Sequence, residues 1–334
     1  MSFVARAPGK LVILGEYAVL DGAPALVMAV NRYCRARIEA SPDERCHLTL
    51  RSPAPLRSSF EPQHKSGAQL VDLVSGAVPA AGSPPWRGEL KSAELFAGGI
   101  KLGLGSSAAA LCAWFGAWSA YHARQGLDGP ETDLARLIDL HRRFQGGRGS
   151  GLDVAACLTG GVISFRLMRQ SAYQVGSVRL PNSVGFAGIF AGRSASTPGF
   201  VARYRAWQAE QPDVAAKQQR RLGGIAEAAC AAARDDDAAA FLQAVAAYGR
   251  GLDELGRSMG AEIVTAAHRA AGLEAERYGV TYKVSGAGGG DLGLALSTDP
   301  QALDAFKEAV RAKRFAVIDF DVDRHGLLVE ERAQ

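Results

Sequence analysis

The sequence predicts a protein of mixed α and β structure with room for two domains or one large one, and three observations lead there. Its 334 residues suit two domains or one large one with an ample core. Apolar, strand-like runs dominate the beginning, long alanine-rich helical stretches dominate the region after residue 200, and a strand, a helix and two short strands close the chain. Three glycine-rich segments, each beside a charged side chain, mark places where the backbone must pass close to something.

Taken in order, Ala7-Pro8-Gly9-Lys10 leads into the apolar run Leu11–Leu14 and a second turn at Gly15, which reads as a strand entering a site. Lys10 on such a strand either finds an anionic partner or snorkels to water. Asp21–Pro24 turns the chain; Ala25–Val30 is a second strand, and Tyr33–Ala40 alternates like a third. Residues 52–86, rich in Pro, Ser and Gly, read as a surface excursion with one helical pattern over 68–74.

Lys101-Leu102-Gly103-Leu104-Gly105-Ser106-Ser107-Ala108 then runs into small and apolar residues, a glycine turn opening a helix to about Arg124. The first turn of that helix offers unpaired N–H groups and a positive dipole end to an anion. Lys101 adds a charge, and the two serines add hydroxyls for a phosphate or Mg²⁺. A serine acting only as an N-cap is the competing reading. No Walker loop is present, since the lysine precedes the glycines.

Residues 126–130 break the chain, and 131–144 resumes as an amphipathic helix with Leu134, Leu137, Ile138 and Leu140 on its apolar side. Four glycines between Gly146 and Gly151 precede Asp153, at the start of another helix, where a cap and a group facing Lys10 are both open readings. Residues 160–165 and 186–190 read as strands. The turn at 191–199 carries Arg193, Ser194, Ser196 and Thr197, donors enough for a phosphate or carboxylate. Helices over 200–234 and 237–256 follow, parted by three aspartates. A strand at Tyr282 leads into Ser285-Gly286-Ala287-Gly288-Gly289-Gly290-Asp291, read as a loop closing over phosphate or substrate; 300–311 is a helix, and 315–320 with 326–329 form a closing strand pair.

The 38 basic and 34 acidic residues give a net charge of +4 without long runs of one sign. That argues against a dedicated nucleic-acid binder and suits anionic small substrates. Five scattered cysteines without C-x-x-C spacing fit reduced thiols, and no apolar run approaches ~20 residues, so a cytoplasmic protein without membrane contact is expected.

The three loops in this order resemble the GHMP kinase superfamily of small-molecule kinases. Residues 8–20, 103–108 and 285–293 are similar to its three motifs. Within it the sequence looks most like phosphomevalonate kinases, on Gly15-Glu16-Tyr17-Ala18, on Lys101 and on Asp291. Mevalonate kinases carry a metal-binding glutamate eleven residues before the catalytic aspartate, where this chain has Arg142. The resemblance implies a ribosomal-protein-S5-like N-terminal domain, 1–178, and a ferredoxin-like C-terminal domain, 179–334. It implies transfer of a phosphoryl group from Mg²⁺-ATP to the phosphate of (R)-5-phosphomevalonate, giving 5-diphosphomevalonate, by a monomer or homodimer.

Gly103, Leu104, Gly105, Ser106, Ser107 and Ala108 would hold the nucleotide, with Ser107 at the metal. Lys10, Asp153 and Lys101 would act at the reacting groups. Glu16, Tyr17, Arg148, Ser150, Arg193, Ser194, Ser196, Thr197, Gly288, Gly289, Gly290 and Asp291 would contact substrate. Mevalonate kinase or another GHMP kinase is the nearest alternative, and an inactive GHMP-fold regulator is the alternative of another class.

Overall fold

The computed structural model describes residues 1–51, 53–77, 84–124, 133–147, 149–168, 172–195 and 197–333. The expected break at 126–130, the expected helix start at 131, Arg148 and Ser196 lie outside the described residues.

The first part of the chain forms β1 (Ser2–Leu14), β2 (Ala25–Ala40), β3 (Cys46–Leu50), β4 (Leu56–Phe60), α1 (Gln69–Ala77), β5 (Trp86–Lys91), a small hairpin of β6 (Phe96–Ala97) and β7 (Ile100–Lys101), α2 (Ser106–Arg124), α3 (Leu134–Phe144), α4 (Leu152–Thr159), β8 (Val162–Leu167) and β9 (Tyr173–Val178). The second part forms β10 (Gly185–Phe190), α5 (Thr197–Glu210), α6 (Pro212–Arg234), α7 (Ala238–Ser258), α8 (Ala266–Arg277), β11 (Thr281–Val284), β12 (Leu292–Ser297), α9 (Pro300–Ala312), β13 (Ala316–Ile318) and β14 (Leu328–Arg332).

Strands β14, β1, β2, β5, β3 and β4 lie side by side in one sheet, and the early half of β2 also pairs with β8, which pairs with β9. Helix α2 packs on β1 and β2 and is buried nearly all round, with Trp114 and Phe115 in the core. A helix apolar on every side must sit inside its domain.

The second sheet runs β11-β12-β10-β13, every neighbour antiparallel. With helices between β10 and β11 and α9 between β12 and β13, this is the β-α-β-β-α-β ferredoxin-like arrangement, its first helix replaced by four. Ala271 and Ala275 of α8 and Leu303, Phe306 and Val310 of α9 close one face of this sheet over Ala187, Ile189 and Ala295. The α+β class expected from sequence is therefore the observed one.

Several element boundaries differ from expectation, each for a local reason. Residues 25–40 are one strand, not two. Pro8 of β1 faces Tyr33 and Gly9 faces Val30, so Asn31 and Arg32 bulge out beside a residue that has no N–H to give the ladder. The 52–86 excursion contains β4, which pairs with β3, and β3 runs parallel to β5. The single helix expected over 200–234 is α5 and α6, because Pro212 cannot donate to the preceding turn and opens a new helix at its first position. The expected closing pair does not form: β13 pairs with β10, while β14 pairs with β1 in the other sheet.

Candidate active site

The three glycine segments converge on one cavity of about 610 Å³, lined from β1 and its following turn, the β7–α2 loop, α3, the loop before α4, the start of α5 and the loop after β11. β1 supplies Lys10. Its backbone N–H donates to Leu104 O at 2.9 Å, which lays the strand against the glycine loop. A Cβ at Gly105 would stand 2.9 Å from Lys10 Cγ and Cε, so the missing side chain is where the lysine stem runs. Gly103 has φ +80, and a Cβ there would fall 2.5 Å from the Asp291 Cβ. Both glycines thus serve close approach in a left-handed conformation.

Ser106 and Ser107 open α2, and the Ser107 hydroxyl lies 3.0 Å from His141 Nε2 of α3. Lys101 ends β7 on the rim, exposed to water. Asp153 sits in the first turn of α4 but is not its cap: Gly151 holds the cap position at φ +93, and the Ser150 hydroxyl accepts from Leu152 N. Asp153 is thereby freed to face Lys10, with Nζ to Oδ1 at 3.9 Å. That separation exceeds a direct hydrogen bond and leaves both groups able to reach a common third atom. Lys10 is 7% exposed, while the Asp153 side chain keeps 29% of its surface open to the cavity. The snorkelling and capping alternatives are both set aside by this arrangement.

Glu16 lies behind this pair in a buried ion pair with Lys283, Oε1 to Nζ at 2.6 Å, and the same oxygen accepts from Gly286 N at 3.1 Å. Burial lowers the Lys283 ammonium's pKa and the Glu16 charge opposes that. The second oxygen, Glu16 Oε2, is buried without a hydrogen-bond partner among the described residues. Tyr17, held at φ +63, donates to Ala287 O at 2.5 Å, and Ser285 donates to Val12 O at 2.8 Å. These bonds tie β1 to the third loop across the site.

Only part of the third loop lines the cavity, namely Gly286, Ala287 and Asp291. Gly288, Gly289 and Gly290 lie off the cavity, packed against protein. A Cβ on them would strike Ile263 O at 2.5 Å, Phe200 at 2.4 Å and Arg193 O at 2.6 Å, so protein packing accounts for these glycines. Asp291, at φ +58, accepts from Ala195 N at 3.2 Å; burial raises its pKa, against the opposing pull of that N–H and of Lys10. Ser194 and Thr197 line the cavity, whereas Arg193 is drawn outside it to Glu262 at 2.8 Å.

Sequence reading missed three supports. His141 was counted only as part of an amphipathic helix, yet it is 3% exposed and touches Ser107. Arg142 does not reach the cavity: it donates to Gly149 O at 3.0 Å, Ser150 O at 3.3 Å and the Tyr173 hydroxyl at 2.9 Å, fixing the loop that presents Asp153. Buried His268 faces Gly290 O with Nε2 at 2.9 Å and the Tyr282 hydroxyl with Nδ1 at 2.8 Å. A carbonyl only accepts, so Nε2 carries the hydrogen and the neutral ring accepts from Tyr282. Only the pairing of a histidine with a glycine-loop helix could have hinted at these roles.

Among the described residues no group of three or more His, Cys, Asp or Glu side chains is placed to hold a metal alone, and no helix is long and apolar enough to cross a membrane. The five cysteines are free and buried. A helix N-terminus with a serine hydroxyl and one open carboxylate nearby fits a Mg²⁺ ion that arrives on a nucleotide, because Mg²⁺ commonly takes one or two carboxylates plus phosphate oxygens.

Residues 94–161 match the family described as GHMP kinases N terminal domain. The whole chain is 28% identical to the whole of a mevalonate kinase from Thermococcus sibiricus. It is 27% identical to a phosphomevalonate kinase from Streptomyces, over 88% of this chain and 90% of that one. Its fold superposes with a TM-score of 0.77 on phosphomevalonate kinase from Streptococcus pneumoniae in complex with phosphomevalonate and AMPPNP, at 18% identity over 96% of this chain and 99% of that one. With the ferredoxin-like second sheet and the glycine loop at the head of α2, the chain is similar to GHMP kinases in fold along its length and in family pattern over residues 94–161.

Proposed function

We propose that this protein transfers the γ-phosphoryl group of ATP to an acceptor of the mevalonate pathway, and that the acceptor is the primary hydroxyl of mevalonate. The observation that carries the reading is the Lys10–Asp153 pair at 3.9 Å, beside the glycine loop and open to the cavity. A neutral hydroxyl needs a group to take its proton as the new bond forms, and Asp153 is the carboxylate in reach. Lys10 faces the same point and would offset charge on the transferring group. The full-length likeness to the Thermococcus protein supports mevalonate over its phosphate.

The cavity's polar groups agree with that acceptor. Among the described lining residues the cations are Lys10 and Lys101, and no arginine is present. Glu16 Oε2, buried and unpartnered, suits a substrate hydroxyl donating to it. Gly103–Gly105 and the first turn of α2 would cradle the phosphates, and Ser107 would hold Mg²⁺, which when bound neutralises phosphate charge.

Phosphomevalonate, put first by the sequence reading, is the second reading. Arg142 in place of a metal-binding glutamate and Lys101 on the rim favour it, as does the likeness to the Streptomyces protein. A phosphate acceptor is already anionic near neutral pH and needs no strong base, so Asp153 would then orient rather than deprotonate.

Coupled ADP release with Mg²⁺-ATP and, in parallel, mevalonate and 5-phosphomevalonate tests both. Turnover with mevalonate supports the first reading, and turnover with 5-phosphomevalonate alone replaces it with the second. Silence with both, in protein that melts cooperatively, overturns both acceptor readings.

A further inference from the structure

The kinase reading leaves one buried polar side chain of the cavity without a task. His141 is 3% exposed, lines the cavity from α3, and places Nε2 3.0 Å from Ser107 Oγ at the head of α2. A hydroxyl has one hydrogen and two lone pairs, and one that gives a lone pair to a cation must point its hydrogen at some other acceptor. Ser107 is the second residue of its helix, and the residue four before it is Gly103 of the glycine loop, so no earlier helical turn supplies that acceptor. The neighbouring position offers no carboxylate, since Arg142 is turned away to Gly149 O, Ser150 O and Tyr173.

We propose that His141 is a positioning residue: its Nε2 accepts the Ser107 hydroxyl hydrogen, which turns the lone pairs of Ser107 Oγ toward the cavity for the divalent cation carried by ATP. The ring is then the tautomer with hydrogen on Nδ1. The imidazole thus acts on the cation through Ser107 and is not itself a ligand. The inference rests on the kinase reading but not on the identity of the acceptor.

The test measures Mn²⁺ bound to protein and a non-hydrolysable ATP analogue by electron paramagnetic resonance. Calorimetric affinity for the same analogue in EDTA runs beside it. H141F keeps the ring volume without an acceptor, H141Q restores an acceptor oxygen at similar reach, and S107A removes the hydroxyl.

Mn²⁺ affinity should fall about tenfold in H141F, about 1.4 kcal/mol, and recover most of that in H141Q, while metal-free nucleotide affinity stays within about twofold. S107A should lose as much as H141F, and the double variant no more than either. The proposal is overturned if Mn²⁺ affinity is unchanged in H141F, if metal-free affinity falls in parallel, or if the two losses multiply. H141N, too short to reach Ser107, takes the place of H141F if that variant does not fold. A wild-type protein that binds no Mn²⁺-nucleotide removes the kinase reading, and this inference with it.

Discussion

Lys283→Met offers a direct measure of what holds the two sides of the cavity together. The Lys283 side chain is fully buried, and its ammonium donates to Glu16 Oε1 at 2.6 Å and to Val284 O at 2.5 Å. Removing it strands a carboxylate that already has one unpartnered oxygen and whose side chain is only 4% exposed. Breaking a buried pair from one side costs about 3–5 kcal/mol. A chain of this size melts about 2 °C lower per kcal/mol lost, so K283M should lower Tm by roughly 6–10 °C.

The second half of the cycle separates an uncompensated charge from lost packing. E16Q/K283M carries no buried charge and should regain at least half of the loss, since paired removal is often near neutral. Four melts followed by circular dichroism suffice. A K283M melt within 2 °C of wild type, or a double variant no more stable than K283M, refutes the reasoning.

Three other outcomes follow from the site. Asp153→Asn and Lys10→Met should each lower kcat by about 100-fold or more with little change in Tm; near-normal turnover in both would mean that the pair does not act on the reacting groups. Gly103→Ala should weaken nucleotide binding and destabilise by about 1–3 kcal/mol, because of the positive φ and the Asp291 contact. Adding Asp291→Gly should restore part of both, and a double variant no better than G103A counts against that contact. His268 has its pKa lowered by burial, with the Gly290 carbonyl opposing, so the unfolded chain binds its proton first as pH falls below 6.5. Stability should therefore drop from pH 7.5 toward pH 5, and His268→Gln should flatten that slope in urea titrations; an equal slope in both proteins removes His268 as its source.

What the sequence disclosed was local chemistry, and what it withheld depended on distant neighbours. Gly103, Gly105 and Lys10 stood out because the glycine turn before small residues and the lysine on an apolar strand recur in one ordered set of loops, although a glycine-serine turn alone is equally a plain helix start. The capping question at Asp153 was not, because it turns on Gly151 taking φ +93 and Ser150 supplying the capping oxygen. Gly288, Gly289 and Gly290 looked like a phosphate loop, yet their missing side chains make room for Ile263, Phe200 and Arg193, residues at least 25 positions away. Arg142 advertised only what it was not; its partners Gly149, Ser150 and Tyr173 appear once the chain has folded back. The strand pair misread at the end of the chain failed for the same reason, since no local pattern tells a strand which sheet it will join.

That last strand has a consequence for how the protein is made. β14 pairs with β1 from Ser2↔Arg332 to Arg6↔Leu328, covering an edge that would otherwise expose unpaired backbone along an apolar strand. A ribosome releases β1 long before β14, so until β14 emerges the nascent chain carries an open template for pairing with other chains. Closing it requires a contact spanning more than 320 residues, a slow step by topology alone. The segment that seals the larger sheet thus doubles as a timer on maturation, and a chain stalled before residue 328 would be a client for chaperones.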